Sequence, residues 1–389
     1  MSGSVGEHHA DGLPDFAAWA QGGVRGLRAY DPGHDIVALR RRAGEAGLLE
    51  MGSNENAWGP SAAAVQALHA SAGALHRYPD PLGQDLRAAI AASLSLSPAQ
   101  VLLGNGSHEL LMQVAQAFAG PDAGVVASQF GFAVYPIAAQ AAGAPFRAAP
   151  AFEAAAPMPR GHDLAALAAT VDAHADTRVV YLANPNNPTG TWFDTASLEA
   201  FLAHVGRERL VVVDEAYLEY VTDPALASAV SLLPRHPNLL VTRTFSKAHG
   251  LAALRVGYAC AHPALLAVLE RVRESFNVNG PALAAAEASL GDAGHLAQVR
   301  EATARERERL RAGLQALGLA VAPSQANFLL VDFGHDASAL EAALLRRGIV
   351  PRPMRGYGLP GCLRLTVGLP DENTRLVAVL RDALGETTA

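Results

Sequence analysis

Of the thirty lysine and arginine residues in this 389-residue chain, one is a lysine: Lys247, in the stretch TRTFSKAHG. Arginine replaces lysine as a surface charge but not as a nucleophilic amine, because the guanidinium stays protonated. A lysine retained in a chain that writes its other cations as arginine is a candidate nucleophile or acid–base group. Other clusters also carry chemistry. GNGSHE (104–109) is a glycine turn opening a helix. Its backbone N–H groups and dipole suit an anion, and Ser107 adds a hydroxyl. The Lys-Ser/Thr ending of a Walker A loop is absent. NPNNPTG (184–190) offers Asn187, and DEAY (214–217) offers Asp214 and Tyr217. Thr244, Ser246 and Arg255 surround Lys247 in sequence and could complete a phosphate cup. Taken singly, each has a plainer reading: the glycine turn is what any capped helix shows, and Arg255 suits a structural ion pair.

Together these groups match one small molecule. Asp214 would pair with a protonated ring nitrogen, and Asn187 and Tyr217 with a phenolate oxygen. The cup would take a phosphate, and Lys247 an aldehyde. Pyridoxal phosphate has all four, with the cofactor as electron sink and the protein supplying position and electrostatics.

The elements that must hold these groups alternate along the chain. Short, nearly continuous apolar strands are predicted at 101–105, 123–128, 178–183, 209–215 and 238–244, and helices at 84–94, 108–119 and 195–205. This pattern indicates an α/β fold with a mostly parallel sheet covered by helices on both faces. Ligands in such sheets sit beyond the carboxyl ends of the strands, where the polar clusters fall. After about residue 280 the pattern changes to a long helix (281–317), a strand (327–333), a helix (337–347), a strand (363–368) and a final helix. We therefore expect an arm at 1–50 that also completes part of the small domain, a large domain at 51–280 and a smaller α+β domain at 281–389.

Composition narrows the function classes. Half of the residues are hydrophobic and the formal net charge is −7. Nucleic-acid binding gains little support. The mixed run RERERLR (305–311) reads as a solvated helix face. Two cysteines, Cys260 and Cys362, are too few for a disulfide framework and read as buried thiols of a reducing compartment. The first residues lack a secretory signal, and the uncharged segment 123–146 is interrupted by Pro136 and Pro145. A cytoplasmic protein is expected. His8 and His9 read as a tail, and no spacing recommends a metal site. No G-x-S-x-G elbow is present.

TFSKAHGLAALR, NPNNPTG and DEAY resemble the fold-type I pyridoxal-phosphate aminotransferases. LRAYDPG, GSNENAWGPS, RYPDPLGQDLR, GNGSHELL, FAVYP, ANFLLVDF and VPRPMRGYGLPGCLRLTVG resemble the histidinol-phosphate aminotransferase branch, in family order over almost the whole chain. The resemblance implies exchange of an amino group between histidinol phosphate and 2-oxoglutarate. It implies that Lys247 condenses with the cofactor aldehyde and then moves the proton at Cα. Asp214 would hold the ring nitrogen, Asn187 and Tyr217 the ring oxygen, and Phe132 would stack on the ring. Ser107 and His108, through backbone groups, would bind the cofactor phosphate with Thr244, Ser246 and Arg255. Tyr78 would reach that phosphate from the neighbouring subunit of a homodimer. Arg364 would clamp the carboxylate of glutamate, and Tyr30 and Arg352 the phosphate of histidinol phosphate. His108 stands where the family often has an acidic residue, and Trp58 where smaller residues are usual. Trp58 either faces the pocket, favouring aromatic substrates, or packs between arm and core. An aromatic aminotransferase, a threonine-phosphate decarboxylase and a cofactor-sensing regulator are the alternatives. The regulator would need a DNA-binding domain, for which the chain has neither spare length nor a basic patch.

Overall fold

The computed structural model describes residues 15–28, 33–43 and 47–387. The first strand, β1 (Leu49–Glu50), is a short parallel partner of β11 (Ile349–Val350) and ties the early chain to the late chain. The main sheet has seven strands in the order β2 (Val101–Gly104), β8 (Gly257–Ala261), β7 (Leu239–Thr244), β6 (Leu210–Asp214), β5 (Thr177–Ala183), β3 (Gly124–Ser128) and β4 (Phe146–Ala149). All run in one direction except β8, which lies antiparallel to both β2 and β7.

Both faces of this sheet are covered, so its strands other than the edge strand β4 are buried almost end to end. Successive side chains point to opposite faces. Val126, Val180, Val211 and Val241 therefore enter one core, while Val125, Val179, Val212 and Leu240 enter the other. The second sheet is antiparallel, in the order β12 (Arg352–Pro353), β13 (Cys362–Thr366), β10 (Phe328–Asp332) and β9 (Ala320–Val321), with its own apolar core under the last helix. Cys260 and Cys362 are buried free thiols, and burial pushes both upward in pKa. No helix among the described residues is long and apolar enough to cross a membrane.

Three expectations need correction. The helix expected over 281–317 is two helices, Gly280–Gly291 and Ala293–Gln315. Asp292 breaks the run and accepts a hydrogen bond from the His295 N–H at 3.0 Å, capping the second helix. The run at 305–311 is not a purely solvated face. Glu306 and Arg307 are buried: Arg307 donates to the Ala326 carbonyl at 3.1 Å, and Glu306 accepts from Asn373 at 3.0 Å. The third is β8, which strand reading left out: GYACA begins two residues after Arg255 and fills the gap between β2 and β7. His8 and His9 lie outside the described residues.

Candidate active site

Strands β2, β5, β6 and β7 all end on one edge of the main sheet, and that edge forms the floor of a cavity of about 290 Å³. Every predicted site residue except Tyr30 and Tyr78 lines it. β2 delivers Ser107 and His108, at the start of the helix Ser107–Phe118. β5 delivers Asn187, β6 delivers Asp214 and Tyr217, and β7 delivers Thr244, Ser246 and Lys247. Arg352 and Arg364 arrive from β12 and β13 of the second sheet, so the cavity lies between the two sheets.

The anion end is built tightly. Gly106 precedes the helix with φ +77°, and a Cβ there would stand 2.7 Å from the Arg255 guanidinium. Only glycine permits that approach. Arg255 itself adopts a left-handed backbone, φ +56°, a strained choice for a side chain of its size. From there its Nη1 donates to Ser246 Oγ at 3.2 Å. The Ser246 N–H donates to Thr244 Oγ1 at 3.1 Å. His108 is pushed towards its neutral form by burial and by Arg255.

The cavity is also lined by Asp214, the one carboxylate among its described lining residues. Its side chain accepts from Thr242 Oγ1 at 3.1 Å and from the Tyr135 hydroxyl at 3.3 Å. Burial raises its pKa to about 6, against these hydrogen bonds, which lower it. Lys247 Nζ donates to the carbonyls of Ser53 and Asn54, at 3.1 and 3.2 Å. Its pKa is lowered to about 7, first by desolvation and then by Arg364. Asn54 takes a left-handed backbone, φ +55°, which asparagine tolerates, and donates through its amide to the Tyr217 hydroxyl at 3.0 Å. Arg364 Nη1 donates to Asn187 Oδ1 at 2.6 Å, and Nη2 to the Gly52 carbonyl. With its oxygen so occupied, the Asn187 amide has its N–H groups left to donate. Arg352 lies against the arm, where a Cβ on Gly33 would collide with it.

The depressed Lys247 has a direct consequence. Because it is the only lysine, an amine-directed acylating reagent on the cofactor-free protein reports it, once the terminal amine is subtracted with Lys247→Arg. We expect its labelling rate to rise through about pH 7 as the amine loses its proton, then level off. A solvated lysine would keep rising to about pH 10.4. A profile still climbing at pH 10 would contradict the desolvated amine.

Several residues escaped sequence reading. Thr242 sits two residues before Thr244 on β7, so both project from the same face; that periodicity was the available signal. Tyr135 lies within FAVYP, three residues past Phe132. Asn54 lies within GSNENAWGPS, and nothing local announces that it meets Tyr217. Trp58 is not a lining residue of the cavity; it packs with Tyr217, Tyr220 and Ala248. Tyr78 is 83% exposed, stacks on Phe276 at 4.6 Å and does not line this chain's own cavity. Tyr30 lies outside the described residues.

The donor set fits pyridoxal phosphate. A helix start, two hydroxyls and Arg255 form a cup lacking any described carboxylate, Asp214 is buried in the same cavity, and Lys247 adds an amine of lowered pKa. Known proteins agree. The model of the aminotransferase class I and II family matches residues 46–380. Histidinol-phosphate aminotransferase 2 of Pseudomonas aeruginosa is 48% identical over 374 residues, 96% of this chain and 99% of the relative. That of Pseudomonas fluorescens is 46% identical over 95% of this chain and 98% of the relative. The crystal structure of histidinol-phosphate aminotransferase from Sinorhizobium meliloti in complex with pyridoxal-5'-phosphate superposes with a TM-score of 0.85 at 32% identity, covering 95% of this chain and 98% of that one. The chain therefore belongs to the class I and II aminotransferases, in the histidinol-phosphate aminotransferase family of pyridoxal-phosphate-dependent transaminases.

Proposed function

We propose that the chain moves an amino group between histidinol phosphate, the substrate its relatives' names carry, and 2-oxoglutarate. One observation carries the choice of substrates. Beyond Arg255 at the phosphate cup, two more arginines, Arg352 and Arg364, enter the same cavity from the second sheet. Three guanidinium groups and Lys247 against a single described carboxylate suit a reaction with several anionic groups to hold. Arg364, buried and forked, is placed to clamp the carboxylates of glutamate and 2-oxoglutarate. Arg352 takes the phosphate of histidinol phosphate, with Tyr30 as its partner from the arm.

Pyridoxal phosphate, when bound, supplies an electron sink for the negative charge developing at the substrate Cα. The chain's own residues do the rest. Ser107, His108, Thr244, Ser246 and Arg255 hold the phosphate. Asp214, ionised, holds the ring nitrogen protonated, and Asn187 and Tyr217 donate towards the ring oxygen. Phe132 covers the ring face. Lys247 Nζ would take the proton from Cα and return it to the carbon that carried the cofactor's aldehyde; a pKa near 7 matches that task at neutral pH.

The active unit is a homodimer in this reading, with Tyr78 of one copy reaching the phosphate cup of the other. Its exposure supports this, as does the exposed Phe276 ring stacked against it. The chain divides into an arm to about residue 50, a cofactor-binding domain to about 280 and a smaller domain beyond. The buried free thiols agree with a cytoplasmic setting.

The test is a half-reaction. The protein loaded with pyridoxal phosphate is mixed separately with histidinol phosphate, phenylalanine and threonine phosphate, and the visible cofactor band is followed. We expect rapid bleaching with histidinol phosphate and slow or no bleaching with the others. Arg352→Ala should raise the concentration of histidinol phosphate needed by roughly 30-fold or more, the cost of one lost charged contact. A preference for phenylalanine would move the assignment to aromatic substrates.

A further inference from the structure

Asp214 is buried, yet both of its carboxylate oxygens are occupied by hydroxyl donors from different elements. Thr242 Oγ1 donates to Oδ1 at 3.1 Å from the adjacent strand β7. The Tyr135 hydroxyl donates to Oδ2 at 3.3 Å from the helix Val134–Ala141. Thr242 and Tyr135 are themselves fully buried. Tyr135 has little freedom to move. Its ring stacks on Tyr181 at 4.8 Å and 4°, and meets Phe132 edge-on at 5.9 Å. Tyr181 is anchored in turn, its hydroxyl donating to the Leu111 carbonyl at 2.8 Å.

We propose that Tyr135 and Thr242 are positioning residues that fix the Asp214 carboxylate in one rotamer and hold it in its anionic form, so that the cofactor's ring nitrogen meets an aimed charge. The inference rests on the reading that Asp214 faces that nitrogen. Its logic is electrostatic. Taking a carboxylate out of water favours the neutral acid, and donors to the charged form oppose this. Burial keeps the Tyr135 phenol protonated, so it remains a donor rather than a second anion. A rigid aromatic stack places that donor from the side of the ring-covering Phe132, which couples ring stacking and charge placement through one short segment of chain. The Tyr135 N–H donates to the Phe132 carbonyl at 3.0 Å, which ties the two residues together at the start of that helix.

The test compares two ligands on cofactor-free protein: pyridoxal phosphate, and its analogue with carbon in place of the ring nitrogen. Affinities are measured by fluorescence quenching for the wild type, Tyr135→Phe, Thr242→Val and Asp214→Ala. Tyr135→Phe keeps the ring stack, and Thr242→Val keeps the shape. We expect each to weaken pyridoxal phosphate about tenfold, as for one lost hydrogen bond to a charged group, and to change affinity for the carbon analogue less than twofold. Equal weakening of both ligands, or none of either, would overturn the proposal, because a merely structural role does not distinguish them. The underlying reading fails separately: if the wild type binds both ligands alike and Asp214→Ala does not alter their ratio, Asp214 does not act on the ring nitrogen. A variant that misfolds is recognised by its near-ultraviolet circular dichroism, and the other hydroxyl variant then decides.

Discussion

Replacing Lys247 with arginine lowers the transamination rate by roughly four orders of magnitude, the upper range for loss of a positioned acid–base group. The substitution keeps the positive charge and much of the length. It removes the one amine that can lose its proton near neutral pH, since arginine stays charged. The effect is amplified by the surroundings. Lys247 Nζ rests on the Ser53 and Asn54 carbonyls, and burial and Arg364 hold its pKa at about 7. Above that pH the amine is neutral and can act as a base. Below it, protonation withdraws the base, so the single-turnover rate should fall on the acid side. Lys247→Ala leaves space where the amine stood, and added methylamine should restore part of its rate. Single-turnover bleaching measures both. More than about one per cent residual rate in Lys247→Arg would remove this lysine from the acid–base role.

Replacing Arg364 with alanine splits the two half-reactions. Glutamate and 2-oxoglutarate carry a carboxylate directly on Cα; histidinol phosphate carries a phosphate ester there, one methylene further out, for which Arg352 is the proposed partner. Loss of the guanidinium fork should cut kcat/KM for glutamate by two to three orders of magnitude, as truncation of one partner in a buried charged pair typically does. The histidinol phosphate half-reaction should fall by about tenfold or less. That smaller, shared loss has its own source. Arg364 also donates to Asn187 Oδ1 and to the Gly52 carbonyl, and it lies over the Phe328 ring at 5.3 Å. Removing it frees the Asn187 amide to turn, which touches both directions of the reaction. Arg364→Lys keeps charge but not the two-pronged geometry, and should recover only part of the glutamate rate. Equal losses in both half-reactions would sink the clamp role and favour an amino donor that itself carries an α-carboxylate.

Much of this site was legible in sequence because it is built from short local segments at strand ends. The alternation of apolar strands with helices is a local property, so the parallel sheet and its polar edge follow from periodicity. Lys247 stood out by composition, and the helix start at Ser107 by its glycine turn. Strand β8 was less visible, since its direction depends on which strands flank it. Glu306 and Arg307 were misjudged because a charged run normally faces water; only the packing of the long helix against residues 326 and 373 turns them inward.

The contacts that tune the site form across long stretches of chain. Asn54 meets Tyr217 from 163 residues away, Arg364 meets Asn187 from 177, and Lys247 meets Ser53 from 194. No local pattern encodes such pairings. The sequence by itself determined the class of fold and the cofactor's chemistry and nominated the groups proposed to carry it, because each depends on residue type and short-range spacing. Only the tertiary structure decided that two hydroxyls would grip Asp214, that carbonyls of the early chain would receive Lys247, and that Arg364 would orient Asn187. Those depend on which side chains share a low-dielectric space, and that space exists only once the two sheets have packed around it.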